Sequence, residues 1–340
     1  MEYVILVLLI MTVAVVSVAA YVYYHPQIII GKIQDLLYKG KPINSYEPFG
    51  NPEKKIKENG QLYITEIRYG TEYPNSYLDI SYPNEDTSVV RPTVIYFHGG
   101  GFFGGDKAMG DPMAANDDAN RLLNEVVAEG FNLVNINYAL VPDCHFPVPL
   151  IQMEQAIAFL KKNAKLYGLD MTNVVIFGQS AGAILAGQYG SLMVNEEYRK
   201  SLGITPSLEK DELSALIIDD APFIISNFGL KLKLMLGNYV GTMNMKRDVV
   251  KKHNAYEYIK EGYAPSFMTA GNTDGFPDDM SAFSKRLTEI GCENEYFFIE
   301  KEVCPLPHGY LNMLGENQYA RECFDHIIAF MKKYTVENKL

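Results

Sequence analysis

A serine between two glycines, at the junction of a predicted strand and a predicted helix, most strongly limits what this chain can fold into. The segment is Gly178-Gln179-Ser180-Ala181-Gly182, which follows the apolar run 173–177 and opens the apolar, helix-like stretch 181–193. A sharp turn of this kind holds its serine at a strained backbone angle and projects the hydroxyl from the edge of a sheet. The flanking glycines let the strand and the helix approach closely. Ser180 is therefore the first candidate nucleophile.

A second glycine-rich loop follows the predicted strand 93–97 and begins with His98-Gly99-Gly100-Gly101. Loops of this type supply backbone N–H groups to an oxyanion. Because acyl transfer builds negative charge on the former carbonyl oxygen, donors already aimed at it lower the barrier. The N–H groups of Gly100, Gly101 and Ala181 are the predicted donors, and His98 is expected to position the loop rather than to titrate.

The same loop also fits a dinucleotide-binding pattern, with glycines at 99, 101 and 104 after a strand. That pattern needs an acidic residue about 20 positions later, at the end of the next strand, to bind the ribose. The next predicted strand ends in Asn135-Ile136-Asn137 and offers no acid there. The pattern is therefore a weak indication of a nucleotide site.

A serine nucleophile needs a base and an acid, which follow it along the chain as Asp or Glu and then His in this motif class. His308 lies in a Pro- and Gly-containing loop and is the predicted base, whereas His326 falls in a helical pattern and is expected to pack or to face solvent. Asp274 follows the predicted strand 266–270 and is the predicted acid. Asp278 and Asp279 are its competitors, and Asp279 is expected to cap a helix.

Other charged residues are given ordinary structural interpretations. Asp219 and Asp220 follow the predicted strand 215–218; a position lining the cleft is one alternative, but they are expected to be solvated or capping. Lysines at 231, 233, 246, 251 and 252 make one segment basic, and a solvated face is favoured over contact with anionic lipid headgroups.

Short apolar runs alternate with helical patterns over most of the chain, as expected of an α/β fold with a sheet covered on both faces. The predicted strands are 62–68, 77–82, 93–97, 132–137, 173–177, 215–218, 266–270 and 295–299, and the predicted helices are 114–129, 148–166, 181–193, 279–290 and 316–334. About 47 residues separate the strand ending at 218 from the one starting at 266. This interval exceeds a single crossover, so residues 222–264 are predicted to form a helical cap.

The N-terminus is apolar, with no charged side chain between Glu2 and Lys32. As a helix, residues 4–24 would extend about 31 Å, which matches the hydrocarbon core of a bilayer. Small residues at 17–20 offer possible signal cleavage sites, but no basic residue precedes the run. Basic residues after it favour a retained anchor with the main domain in the cytoplasm, the alternative being secretion after cleavage. The predicted division is 1–24 anchor or signal, 25–59 connector and 60–340 catalytic-type domain.

Composition narrows the possible partners. The 340 residues carry a formal charge of −11, which disfavours nucleic acid because its binding proteins concentrate Lys and Arg. The four cysteines include no C-x-x-C pair, so neither a metal finger nor a redox motif is predicted.

Taken together, these motifs resemble those of the α/β-hydrolase fold carboxylesterase/lipase family, in its hormone-sensitive-lipase-like or feruloyl-esterase-like branch. The resemblance covers residues 78–83, the loop 98–106, residues 137–142 and 146–147, the turn 178–182, Asp274 and 308–309. Two departures are Gln152 or Glu154 where such families often carry Asp, and Gly275-Phe276-Pro277 after Asp274.

This resemblance implies a mostly parallel sheet of about eight strands with helices on both faces. The long interval before residue 266 adds a predicted helical cap, and the apolar N-terminal run adds a predicted transmembrane helix. It implies hydrolysis of a small-molecule ester through an acyl-enzyme, with Ser180 as nucleophile, Asp274 as acid and His308 as base, without a metal or organic cofactor. An amidase or peptidase with the same triad is the alternative activity. A non-catalytic binding protein on the same fold is the alternative from another class.

Overall fold

The computed structural model describes residues 2–112, 114 and 119–336, and its centre is a mixed sheet. In these residues the sheet has nine strands in the order β1-β2-β3-β5-β4-β6-β7-β8-β9. The first three strands and the β3–β5 pair are antiparallel, and all other neighbours are parallel. The strands are β1 (Lys54–Ile56), β2 (Leu62–Arg68), β3 (Tyr77–Tyr82), β4 (Pro92–Phe97), β5 (Asn132–Ile136), β6 (Asp170–Gln179), β7 (Leu213–Asp219), β8 (Ser266–Thr269) and β9 (Asn294–Phe297).

Helices cover both faces of this sheet. They are α1 (Glu2–Tyr24), α2 (Gln27–Tyr38), α3 (Ala119–Ala128), α4 (Val148–Lys162), α5 (Ala164–Tyr167), α6 (Ala181–Val194), α7 (Glu196–Leu202), α8 (Leu230–Val240), α9 (Asp248–His253), α10 (Pro277–Glu289) and α11 (Gln318–Val336). Alternate residues of the central strands enter two separate cores: Ile95 and Ile176 face one, and Val94 and Val175 face the other. Continuous burial of both faces explains the uninterrupted apolar runs in these strands.

All eight predicted strands are present, with ends that differ by up to three residues. The segment 25–59, predicted as a connector, contains α2 and also β1, which pairs with β2. Neither element was among the predicted helices and strands. The start of the predicted helix 114–129 falls on residues 113 and 115–118, which lie outside the described residues, and α3 begins at Ala119.

The helix α1 is the one helix in the described residues that is long and apolar enough to cross a membrane, through Tyr3–Tyr24. A membrane anchor and a signal sequence both have this character. The next helix, α2, packs on the globular domain through the buried residues Ile30 and Gln34. The Gln34 Nε2 donates to the carbonyls of Phe103 (3.0 Å) and Val141 (2.6 Å), and the Tyr38 hydroxyl donates to the carbonyl of Gly105 (3.0 Å). This helix therefore supports the loop after β4.

The predicted insertion 222–264 contains α8 and α9 between β7 and β8. On α8, Leu232, Met235, Leu236 and Tyr239 recur at helical spacing and line one cavity with Ser180. Since residues three and four apart share one face of a helix, this face of α8 covers the carboxyl ends of the central strands. The insertion thus forms one wall of the site.

Candidate active site

The turn that holds Ser180 joins β6 to α6 and is too tight for side chains at its glycines. Ser180 has φ 53° and ψ −112°, a strained conformation for a residue with a side chain. A Cβ on Gly178 would lie 2.1 Å from the carbonyl oxygen of Gly182, and one on Gly182 would lie 2.0 Å from that of Phe97. The two glycines of the motif therefore allow the helix to start against β4 and β6, with the serine between them.

His308 lies in the loop after β9 and approaches Ser180 directly. Its Nε2 is 3.0 Å from the Ser180 Oγ, and both side chains are largely buried. The other ring nitrogen, Nδ1, is 2.9 Å from the Oδ2 of Asp220. Because a carboxylate only accepts hydrogen bonds, Asp220 favours the tautomer with the proton on Nδ1. The Nε2 lone pair then faces the serine hydroxyl, as a general base requires.

Asp220 is the first residue after β7, the strand next to β6 in the sheet. It is fully buried, with φ 58°. Its Oδ2 accepts the N–H of Gly271 at 3.0 Å, and its Oδ1 accepts that of Phe276 at 2.7 Å. These backbone donors compensate for the burial of the carboxylate and hold it against the ring of His308.

Asp274, the predicted acid, does not contact the ring of His308, and on this point the prediction differs from the structure. Its side chain is exposed, and its Oδ1 accepts the backbone N–H of His308 at 2.7 Å. Asp274 therefore fixes the backbone of the histidine loop, while Asp220 takes the position beside Nδ1. The loop after β8 wraps around Asp220, so that Asp274 is carried outward.

The remaining candidates from the sequence lie elsewhere. The side chain of Asp278 is exposed, and His326 is half-exposed beside Glu295. The prediction that Asp279 caps a helix is wrong, because it lies inside α10 and accepts the backbone N–H groups of Phe223 and Ile224. Asp279 thus holds the start of the insertion.

The interpretation of Asp219 and Asp220 as solvated or capping residues is wrong, since both are fully buried. A usable signal was present: two adjacent acids end the strand next to the one that carries the nucleophile. Burial, and then the neighbouring charge of Asp220, raise the pKa of Asp219 to about 7. Its Oδ2 accepts a hydrogen bond from Gln179 Nε2 at 2.9 Å, immediately before the nucleophile turn. The adjacent acids therefore have different environments, and Asp220 alone reaches His308.

Buried carboxylates determine the protonation of His308. Burial lowers the pKa of its imidazole, but Asp111 and Asp220 outweigh this effect and raise the pKa well above 6.5. The Oδ2 of Asp111 is 3.8 Å from the Nε2 of His308, and this side chain is also buried. Two carboxylates thus stabilise the imidazolium that a general base forms.

The loop 98–101 also has the backbone geometry that its glycines suggest. Gly100 has φ 103° and Gly101 has φ 59°, and a Cβ on Gly100 would lie 2.1 Å from the carbonyl oxygen of Gly104. His98 is buried, stacks on Tyr138 at 4.3 Å and bonds to the Gly99 carbonyl through Nδ1. Burial lowers the pKa of His98, which favours the neutral imidazole. Through these contacts His98 positions the loop, as predicted.

Two of the three predicted oxyanion donors belong to residues that line the cavity at Ser180, namely Gly101 and Ala181. Ala181 is the first residue of α6, and the first N–H groups of a helix have no acceptor within the helix. Gly100 precedes Gly101 in the same turn. The three amides are therefore on the two loops that meet at the serine.

The cavity in front of Ser180 has a volume of about 190 Å³. Its walls are mainly apolar, with Ile184 from α6, Phe228 and Met235 from the insertion, and Phe276 from the loop after β8. Among the described residues, no group of three or more His, Cys, Asp or Glu side chains is arranged to hold a metal ion. The polar groups beside the serine are instead arranged for proton transfer.

A family model described as BD-FAE matches residues 78–281, which is more than half of the chain. The chain belongs to the BD-FAE family. The matched segment includes Ser180, Asp220 and Asp274, whereas His308 follows it.

Two individual relatives of this BD-FAE protein show the extent of the similarity. A putative alpha/beta hydrolase from Acanthamoeba polyphaga mimivirus is 20% identical over 328 residues, which cover 92% of this chain and 89% of the viral protein. Arylacetamide deacetylase from Oryctolagus cuniculus is 30% identical over 152 residues, covering 44% of this chain and 36% of that enzyme. The chain thus matches about a third of the length of that enzyme.

The fold of this BD-FAE protein is that of known esterases. The crystal structure of esterase B from Lactobacillus rhamnosis superposes with a TM-score of 0.69 at 19% identity, covering 84% of this chain and 89% of the esterase.

Proposed function

We propose that this protein is a serine carboxylesterase that acts through an acyl-enzyme, with Ser180 as nucleophile, His308 as base and Asp220 as acid. The observation that carries the proposal is the buried hydrogen-bonded series from Ser180 Oγ through both ring nitrogens of His308 to Asp220. Asp220 replaces Asp274, which the sequence favoured. Each group lies at the distance that proton transfer needs.

In the first half of the reaction, Ser180 Oγ attacks the ester carbonyl while its proton passes to Nε2 of His308. The new imidazolium is stabilised by Asp220, which keeps its own negative charge. Negative charge on the former carbonyl oxygen is bound by the amides of Gly100, Gly101 and Ala181. The C–O bond to the alcohol then breaks, and His308 returns the proton to the departing oxygen.

In the second half, a water molecule replaces the alcohol. His308 removes a proton from the water, whose oxygen attacks the acyl carbonyl and forms a second oxyanion at the same amides. The bond to Ser180 Oγ breaks, the serine regains its proton from His308, and the carboxylic acid leaves. The cycle uses only groups of this chain and water.

For the N-terminal segment, we propose that α1 is a retained anchor and that the hydrolase domain faces the cytoplasm. The lysines that follow the apolar run, Lys32, Lys39 and Lys41, favour this orientation. Carbonate extraction of membranes tests the anchor, and protease protection of intact vesicles tests the side. Release of a shortened protein into the medium would contradict both.

The esterase activity is tested with p-nitrophenyl butyrate and a fluorophosphonate probe. We expect turnover by the full chain, labelling at Ser180, and loss of both in Ser180→Ala. Ser201→Ala is a matched control, because its hydroxyl bonds to a carbonyl on α7, away from the cavity. Absence of both turnover and labelling would overturn the proposal. An arylamide in the same assay distinguishes an amidase, which would cleave it at a comparable rate.

A further inference from the structure

Two polar side chains in the wall of the Ser180 cavity have no hydrogen-bond partners among the described residues. Both ring nitrogens of His253 and the hydroxyl of Tyr239 are buried and have no acceptor or donor among the described residues. His253 is 4% exposed and Tyr239 is 1% exposed, and both line the cavity of Ser180. A buried polar group without a partner destabilises the folded protein. Such groups point to a ligand that satisfies them.

The two side chains are held firmly by aromatic contacts. The ring of Tyr239 stacks on Phe102 with centroids 3.6 Å apart, and its edge meets His253 at 5.4 Å. His253 also contacts Phe146 edge-on at 5.5 Å. Since these rings fix the positions of the polar atoms, the polar pair is part of the cavity wall and not a mobile surface group.

Both side chains lie in the wall of the cavity that contains the nucleophile. Tyr239 stacks on Phe102, which follows the predicted oxyanion donor Gly101. The backbone carbonyl of His253 accepts a hydrogen bond at 2.7 Å from Gln188 Nε2 on α6, the helix that begins after Ser180. An acyl group attached to Ser180 therefore shares one cavity with both side chains.

The protonation states indicate an uncharged ligand group. Burial lowers the pKa of His253 to about 3, so the imidazole is neutral at physiological pH. Burial also raises the pKa of Tyr239, which keeps its proton. Neither group neutralises a buried carboxylate. Lys231 also lines the cavity, but it is exposed near the start of α8, so a carboxylate beside the buried pair would be costly. A neutral imidazole and a phenol instead provide donors and an acceptor for a carbonyl, hydroxyl or amide.

We propose that the cavity binds acyl groups that carry an uncharged hydrogen-bonding group, and that His253 and Tyr239 recognise this group. This inference rests on the proposed esterase function. The volume of about 190 Å³ is somewhat larger than a cavity of 150 Å³ that holds benzene. An acyl group of about five or six carbon atoms therefore fits.

The test compares two esters with equal numbers of heavy atoms, p-nitrophenyl 4-oxopentanoate and p-nitrophenyl 4-methylpentanoate. We expect the full chain to have a kcat/KM at least tenfold higher for the oxo ester, because the methyl analogue leaves the buried pair unsatisfied. In Tyr239→Phe and in His253→Phe, which keep an aromatic ring, we expect this ratio to fall severalfold. Tyr258→Phe is the control, because Tyr258 does not line the cavity, and it should keep the ratio.

The outcomes separate the two proposals. If both esters are cleaved with equal kcat/KM, or if the ratio survives both Tyr239→Phe and His253→Phe, the polar pair has no role in recognition and the inference is overturned. If neither ester is cleaved and the fluorophosphonate does not label Ser180, the esterase function itself fails. Tyr239→Phe removes no hydrogen bond among the described residues, so its folding is expected to be preserved.

Discussion

Replacing Asp220 by Asn tests the assignment of the acid most directly. The Oδ1 of Asp220 accepts the N–H of Phe276, so the amide oxygen of Asn is expected to keep this position and to turn the NH₂ group toward His308. The ring then places its Nδ1 lone pair toward the amide and its proton on Nε2. In that tautomer Nε2 donates to Ser180 and is unable to accept the serine proton. The base is lost, and the N–H of Gly271, which the Oδ2 of Asp220 accepts, also loses its acceptor.

The expected size of the effect follows from this tautomer change. The corresponding Asp to Asn change in a serine protease triad lowers kcat about 10⁴-fold. At 1.36 kcal/mol per factor of ten, this is about 5 kcal/mol of barrier. Asp274→Asn is the matched comparison, because its side chain is exposed and an amide oxygen still accepts the N–H of His308. For Asp274→Asn we expect less than a tenfold change.

The measurement is kcat and kcat/KM for p-nitrophenyl butyrate in both variants, with thermal unfolding to establish that each is folded. The rate of fluorophosphonate labelling gives a second readout of serine activation. A folded Asp274→Asn that loses 10³-fold or more, beside an Asp220→Asn that loses less than tenfold, would refute the assignment and restore Asp274 as the acid.

Three further predictions concern pH, packing and loop support. Because His308 must be unprotonated to act as a base and its pKa is raised, kcat/KM measured against pH should rise with a midpoint above pH 6.5. Asp111→Asn removes a negative charge near His308 and should move this midpoint to lower pH. An unchanged midpoint would mean that Asp111 does not raise the pKa of His308. Gly182→Ala should destabilise the protein by about 1–3 kcal/mol or more in chemical unfolding, and full stability would mean that the turn relaxes. Gln34→Ala should lower the free energy of unfolding by about 2 kcal/mol and should lower kcat, because two buried carbonyl groups lose their hydrogen-bond donor. Gln27→Ala changes an exposed residue of the same helix and should change neither quantity.

The central sheet was predictable because its strands are short apolar runs that end in turn residues, and because both faces are buried. The nucleophile turn and the loop beginning at His98 were predictable for a local reason. Their glycines meet a requirement of the backbone within a few residues, as the close contacts of Gly178 and Gly182 demonstrate.

The partner of His308 was not predictable from local pattern. Asp220 and Asp274 both follow parallel strands, and both reach the histidine loop, one at the ring and the other at the backbone. The sequence does not encode which oxygen faces Nδ1, because this depends on how the loop after β8 folds around a buried carboxylate. The same limit applies to α2, whose contacts are with residues about 70 to 107 positions away.

The position of α2 determines what cleavage of the apolar N-terminal segment would change in the folded protein. The small residues that could be cleaved as a signal lie at 17–20, whereas α2 begins at Gln27. Removal of the apolar segment at that point would leave Gln34 and Tyr38 bonded to the loop that contains the predicted oxyanion amides. A membrane-bound form and a processed form would therefore share the same support for the reaction centre. Removal of residues 1–38 would also remove α2, and we expect that shorter form to lose catalytic activity.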